Sequence, residues 1–321
     1  MAEKIKTAVI GVGYLGRFHA QKYASIEETE LIGVVDFNLD RAKEVGEEVG
    51  ADAFDSFDSI IDKVDAVSIV TPTETHHKVA REFLSRGKHV LLEKPMTVTM
   101  EEAEDLIKLS AENNAVLQVG HLERFNPAVV ALQGVVDKPV FIESHRLSPF
   151  PNRATDVDVV LDLMIHDIDI ILNLVDSDID SIEATGVPVI SGKVDIANAR
   201  LKFKNGCVAN VTASRVSSEP QRKIRLFQLD AYMSIDYAAQ QISVVRLEKS
   251  AQGPKINEEK IHIERGDSLL EEIKSFVACI KSGETPLVSG TIGKRALGAV
   301  HKIQKEVDAS MELLKSHGIG A

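Results

Sequence analysis

The chain has no tryptophan, only two cysteines, and aromatic residues at just 5% of its length. Scarce aromatics leave aliphatic side chains to fill any core. Cys207 and Cys279 form no CxxC pair and have no histidine cluster beside them, which argues against a disulfide scaffold and a cysteine-based zinc site. Two isolated thiols are ordinary in a reducing compartment. Basic residues are also short: 37 Lys and Arg against 49 Asp and Glu give a net charge of −12. Nucleic acid and anionic membrane surfaces are poor partners for such a chain, because neutralising phosphates takes clustered cations. No apolar run approaches the roughly 18 to 20 residues of a membrane-spanning helix, and the first one is too short for a signal peptide. The expected location is the cytoplasm.

What is present suffices for two domains: 321 residues, 44% of them hydrophobic. The first 120 residues alternate β-branched runs with helical patterns. Strands are predicted at Ile5–Ile10, Leu31–Val35, Ala66–Val70, His89–Leu92 and Val116–Val119. Helices are predicted at Leu15–Ala24, Leu39–Val49, Thr75–Ser85 and Met100–Glu112. This alternation predicts a doubly wound parallel sheet, an α/β domain over 1–121. The pattern then changes. A short helix is expected at Asn126-Pro127, a strand at Pro139–Leu147, an apolar helix over Asp158–Val175, and consecutive strands with tight turns from Ile182 to Leu247. Two helices, Leu269–Ser282 and Ile292–Ser316, close the chain. An α+β domain with an antiparallel sheet is predicted over 122–321.

The first strand runs into Gly11-Val-Gly13-Tyr14-Leu15-Gly16, which opens the first helix. Strand, spaced glycines and helix in that order are the dinucleotide fingerprint. The glycines permit a tight turn, close approach of a pyrophosphate and close helix packing. Asp36 ends the second strand, twenty residues past Gly16. An acid there accepts hydrogen bonds from ribose hydroxyls and repels a 2′-phosphate, so NAD is favoured over NADP, with Arg41 nearby as a counter-indication. Thr71-Pro72-Thr73-Glu-Thr-His76 and Glu93-Lys94-Pro95 follow later strands at their carboxyl ends, where such sheets bind ligands. Thr71, Pro72, Thr73, His76, Glu93 and Lys94 therefore join the candidate cofactor residues, and His76 and His77 read equally well as surface helix residues. A cis Lys94-Pro95 bond is expected.

Along the helix over Asp158–Val175, Asp162, His166, Asp169 and Asn173 recur at spacings of four, three and four, placing them on one face. Asp169 and Asn173 fit the solvated side of that face. Arg124 and Asn126 are candidates for substrate contact, with a helix cap as the other reading of Asn126. Arg146 and Arg153 are candidates for a diphosphate, or plain surface arginines.

GVGYLG at 11–16, TPTETH at 71–76, EKP at 93–95 and DLMIH at 162–166 together resemble the Gfo/Idh/MocA family of oxidoreductases over nearly the whole chain. The resemblance implies a Rossmann domain, an open-faced antiparallel sheet used for oligomer contacts, and hydride transfer between a nicotinamide and a sugar or cyclitol carbon. It maps the motif lysine to Lys94 and the motif aspartate and histidine to Asp162 and His166. Histidine suits proton abstraction from a hydroxyl because its ordinary pKa is near 6.5, Asp162 one turn away either orients it or binds a substrate hydroxyl, and a lysine binds the reacting oxygen and stabilises the developing alkoxide. The segments HLERFNPAV and DVDVVLDLMIHDIDI resemble the subgroup that oxidises UDP-N-acetylglucosamine at C3. A free cyclitol or aldose is the alternative substrate, and a non-catalytic dinucleotide-binding sensor is the competing class. No metal is needed. The open sheet implies a homodimer or homotetramer. One departure stands out: where many relatives have glycines before the DxxxH helix, this chain has Asp156-Val-Asp158-Val-Val.

Overall fold

Short β-branched runs form a six-stranded sheet in the computed structural model, which describes residues 3–132, 135–150, 157–237, 239, 241–250 and 253–318. The first unit contains β1 (Ile5–Ile10), α1 (Tyr14–Ser25), β2 (Thr29–Val35), α2 (Leu39–Val49), β3 (Asp52–Phe54), β4 (Ala66–Ile69), α3 (Thr73–Leu84), β5 (His89–Glu93), α4 (Met100–Glu112) and β6 (Leu117–Gly120). The strand order is β3-β2-β1-β4-β5-β6, all parallel. Order reverses between β1 and β4, the switch point at which such sheets bind ligands. The register aligns Ile10 with Val35 and with Ile69, so the ends of β2, β1 and β4 form one row. Helix boundaries have local causes. Asn38 caps α2 by accepting from Asp40 and Arg41 amides, and Gly50 ends it in the left-handed conformation at φ 73°. Thr99 and Glu102 form a capping box at α4. The sequence reading missed β3, three residues long at the sheet edge.

The second unit begins with α5 (Pro127–Val130) and β7 (Phe141–Leu147). A π-helical turn, Val160–Met164, leads into α6 (Ile165–Leu174). Seven strands follow: β8 (Ile179–Val187), β9 (Ile196–Phe203), β10 (Val208–Ser214), β11 (Gln221–Phe227), β12 (Ala231–Asp236), β13 (Gln241–Ser250) and β14 (Gly253–His262). They join β7 in one sheet ordered β14-β13-β12-β11-β7-β10-β9-β8. All pairs are antiparallel except β7 with β10, which run parallel. A parallel pair needs a long connection, and α6, β8 and β9 provide it. One face is buried in strict alternation, as at Ala197, Ala199, Leu201 and Phe203. Small side chains on β9 and β10 suit close helix packing, and α6 packs against β7 and β10.

Two helices complete the chain, α7 (Ser268–Ser282) and α8 (Gly290–Ser316). The sequence reading put both in the second domain. Instead the first unit comprises the chain up to Phe125 together with Asp267–Leu297, and the second comprises Asn126–Gly266 with the chain from Gly298 onward. Apolar burial explains the return. Leu269, Ile273, Phe276 and Val277 of α7 join Val9, Ala20, Tyr23 and Leu91 in one buried cluster. Each such side chain contributes roughly 1.5–3 kcal/mol when fully buried.

Candidate active site

The glycine loop is built from residues that tolerate no side chain. Gly11 has φ +87°, and a Cβ there would lie 2.7 Å from the Val70 oxygen. A Cβ on Gly16 would lie 1.9 Å from the Gly11 oxygen. Gly13 differs: a Cβ would meet nothing within 4 Å, so this side of the loop is open. Helix α1 begins there with no side-chain cap and no acidic residue in its first turn, unlike the capped α2 and α4. The uncapped, positive end of the helix suits a pyrophosphate. A groove of about 630 Å³ beside the loop is lined by Gly13, Tyr14, Arg17, Phe18 and Arg41 among others. Tyr14 stands exposed in an edge-on pair with Phe18, whereas Leu15 packs into the core. The Asp36 carboxylate is buried at the end of β2, accepting from the Val12 amide at 3.1 Å and the Asn38 amide at 3.0 Å. Arg41 reaches it at 3.5 Å. These residues fit a dinucleotide.

The loops after β4 and β5 are tied together. His76 is buried, with Nε2 2.8 Å from the Thr71 oxygen and Nδ1 3.0 Å from the Pro95 oxygen. Burial lowers its pKa and outweighs the two carbonyls, which favour the charged ring. His76 therefore staples the loops from inside. His77 instead contacts Asp105 at 2.8 Å on the helix surface, and this bond helps hold the Asp105 carboxyl below its usual range. The Thr75 hydroxyl donates to the Pro72 oxygen at 2.8 Å and lies 2.7 Å from the Thr71 hydroxyl, closing the turn around Thr73, the first residue of α3. Lys94 is half-buried and its bond to Pro95 is cis.

Glu93 is buried. Its Oε1 lies 3.2 Å from His19 Nε2 and its Oε2 accepts from the Lys94 amide at 3.2 Å. Behind it, His19 Nδ1 contacts Ser68 Oγ at 3.1 Å, and Ser68 Oγ contacts the Tyr23 hydroxyl at 2.9 Å. The sequence reading named none of these three partners, although His19, three residues past Gly16, faces the same side of α1.

In the second unit, Asp158 starts the helix by accepting from the Val160 and Leu161 amides, both at 2.9 Å. Gln304 of α8 donates to its other oxygen at 2.6 Å. Asp162 lies within the π-helical turn and His166 in the first turn of α6, both half-buried. Such turns recur at functional sites. Of the two residues expected on the solvated side, Asn173 is exposed but Asp169 is buried. Asp167, which the spacing left out, is buried and accepts from Ser144 at 2.7 Å and Arg146 at 2.6 Å. Arg146 is thus committed to an internal ion pair and does not present a diphosphate site. Arg153 lies outside the described residues. Arg124 is buried in a 3₁₀ turn, Leu122–Phe125, and Asn126 caps α5 through the Ala128 amide at 3.0 Å.

Residues 5–121 match the model of an oxidoreductase family with an NAD-binding Rossmann fold, and residues 129–232 match the GFO/IDH/MocA C-terminal domain. The chain is 41% identical over 311 residues to UDP-N-acetylglucosamine 3-dehydrogenase of Acidithiobacillus ferrooxidans, covering 96% of this chain and 99% of that protein. A solved structure of that dehydrogenase superposes with a TM-score of 0.90 over 97% of this chain and 99% of that one, at 40% identity. Myo-inositol 2-dehydrogenase of Thermotoga maritima is 27% identical over 98% of this chain and 100% of its own length.

Proposed function

The chain belongs to the Gfo/Idh/MocA oxidoreductase family, and from that premise we propose that it oxidises the C3 hydroxyl of UDP-N-acetylglucosamine with NAD. The observation that carries this reading is the 41% identity to a UDP-N-acetylglucosamine 3-dehydrogenase along essentially the full length of both chains.

Bound NAD supplies the hydride acceptor. The Gly11–Gly16 loop and the N-terminal end of α1 would hold its pyrophosphate, and Asp36 would take the ribose hydroxyls. Lys94 holds the reacting oxygen and stabilises the developing alkoxide. His166 takes the hydroxyl proton, and Asp162, one turn earlier, orients the ring and favours its cationic form. One C–H and one O–H bond break, giving a 3-keto sugar, reduced cofactor and a proton. Two free, buried cysteines fit a cytoplasmic location. The exposed cross-strand pair Leu247 and Ile256 on the β13–β14 hairpin supports a homodimer or homotetramer.

A cyclitol is the second reading, favoured by the full-length match to an inositol dehydrogenase. Reduced-nicotinamide absorbance with each substrate, in the presence of a trap for the keto product, separates them. The proposal expects a higher kcat/KM with UDP-N-acetylglucosamine. Turnover with myo-inositol alone would overturn it.

A further inference from the structure

Glu272 is fully buried on α7, and neither of its carboxyl oxygens has a hydrogen-bond partner among the described residues. An ionised carboxylate in that position would be held without compensation, at large cost. Its neighbour Glu93 is also buried, but Glu93 has donors: the Lys94 amide at 3.2 Å and His19 Nε2 at 3.2 Å. Gly120, paired with Glu93 across β5 and β6, leaves room for this carboxylate; a Cβ there would lie 2.8 Å from Oε1. Helix α7 packs on α1, which carries His19 and Tyr23, on β5, which carries Glu93, and on the 3₁₀ turn Leu122–Phe125, which carries Glu123 and Arg124; Gln118 of β6 donates to the Glu272 main-chain oxygen at 3.0 Å.

We propose that Glu93 and Glu272 form a one-charge pair behind Lys94: Glu272 stays a neutral acid, so that Glu93 serves as the carboxylate that pins the Lys94 amide, braced by His19, Ser68 and Tyr23. The proposal rests on the reading of Lys94 as the group that holds the reacting oxygen. Two buried acids on packed elements that repel each other share a single negative charge, and the charge settles where the donors are. The electrostatics agree. Burial and the Glu93 charge both push the Glu272 carboxyl well above the usual range. Burial alone would raise Glu93 too, but His19 and Lys94 hold it below. Glu93 and His19 are therefore positioning residues: they fix the strand end from which the lysine projects.

The sign of the pH effect follows. Glu272 binds its proton more tightly folded than unfolded, so folding stability falls as pH rises above the ordinary carboxyl range, about 4.3. Glu272→Gln is neutral at every pH and removes that slope. Its thermal midpoint runs parallel to wild type near the ordinary carboxyl pKa and rises progressively above it toward neutral and alkaline pH. Equal slopes for wild type and Glu272→Gln would overturn the one-charge pair. Glu93→Gln replaces one acceptor oxygen with a donor facing either the Lys94 amide or His19. It lowers kcat roughly ten- to a hundredfold while sugar KM and NAD affinity hold, the loss expected of a displaced reacting group. Wild-type kcat in a folded Glu93→Gln would overturn the positioning role. Lys94→Ala separates this proposal from the reading beneath it: wild-type turnover there refutes the lysine assignment, and the midpoint slope then decides the charge pair by itself.

Discussion

Arg215 donates from Nη1 to the main-chain oxygen of Val157 at 2.6 Å, holding the chain one residue before the Asp158 cap. Its Nε donates to Asp195 at 2.8 Å, inside a carboxylate that also accepts from Ser191 and from the Val189, Ile190 and Ser191 amides. Val157, just before the Asp158 cap, is thus held by a side chain that itself sits in a buried ion pair. Arg215→Met strands the Asp195 charge in the interior and should cost about 3–5 kcal/mol. Denaturant unfolding checks this, and a loss below about 1 kcal/mol would contradict it.

Asp195 also sets a pH limit. Burial alone would raise its pKa, but hydrogen bonds from Ser191, the Ile190 amide and Arg215 outweigh burial and hold it far below the usual range. A depressed carboxyl stabilises the fold above its ordinary pKa, about 3.9, and that contribution is lost as pH falls below it. His76 acts on a higher window. Its pKa is lowered by burial, so stability falls as pH drops below about 6.5. The thermal midpoint of His76→Gln should fall less than wild type between neutral and mildly acidic pH. An unchanged slope would contradict the staple.

Gly13 and Gly16 should part company. A Cβ at Gly13 meets nothing within 4 Å, whereas one at Gly16 lies 1.9 Å from a main-chain oxygen. Gly13→Ala should keep the wild-type thermal midpoint and weaken NAD binding at least about tenfold, or about 1.4 kcal/mol. Gly16→Ala should be destabilised by roughly 1–3 kcal/mol or more before any cofactor is added. Calorimetry with NAD and thermal unfolding without it separate the two effects.

Asp36→Asn should raise the Kd for NAD and narrow the preference over NADP, because a neutral side chain no longer repels a 2′-phosphate. Arg41, 3.5 Å from Asp36 in the native chain, is then released toward that phosphate. Competitive titration of the two dinucleotides is the check, and an unchanged ratio would refute the role of Asp36.

Local signals carried most of the first unit. GVGYLG, Asp36 and the β-branched runs are short-range patterns, and they placed β1, β2, α2 and α4 closely. Long-range effects were illegible. Nothing near Ile273 or Phe276 tells that α7 returns to the Rossmann core rather than staying with the preceding sheet. Glu272 reads as an ordinary helix acid, because only packing removes its solvent. A uniform 3.6-residue period put Asp169 on a solvated stripe, but it is buried in the helix that follows the π-helical turn, and Asp167, which the spacing left out, pairs with Arg146. His19 was hidden by its neighbours: beside a glycine fingerprint, a buried histidine at one turn's distance draws no separate notice.

In the proposed reaction the hydride leaves C3 of the sugar. UDP-N-acetylglucosamine carrying deuterium at C3 tests it most directly, with NAD, a keto-product trap and mass analysis of the reduced cofactor. The expected outcome is one deuterium in the nicotinamide, a lowered kcat/KM with the labelled sugar, and loss of transfer in His166→Ala. Turnover that leaves the cofactor unlabelled, or full transfer in His166→Ala, would contradict it.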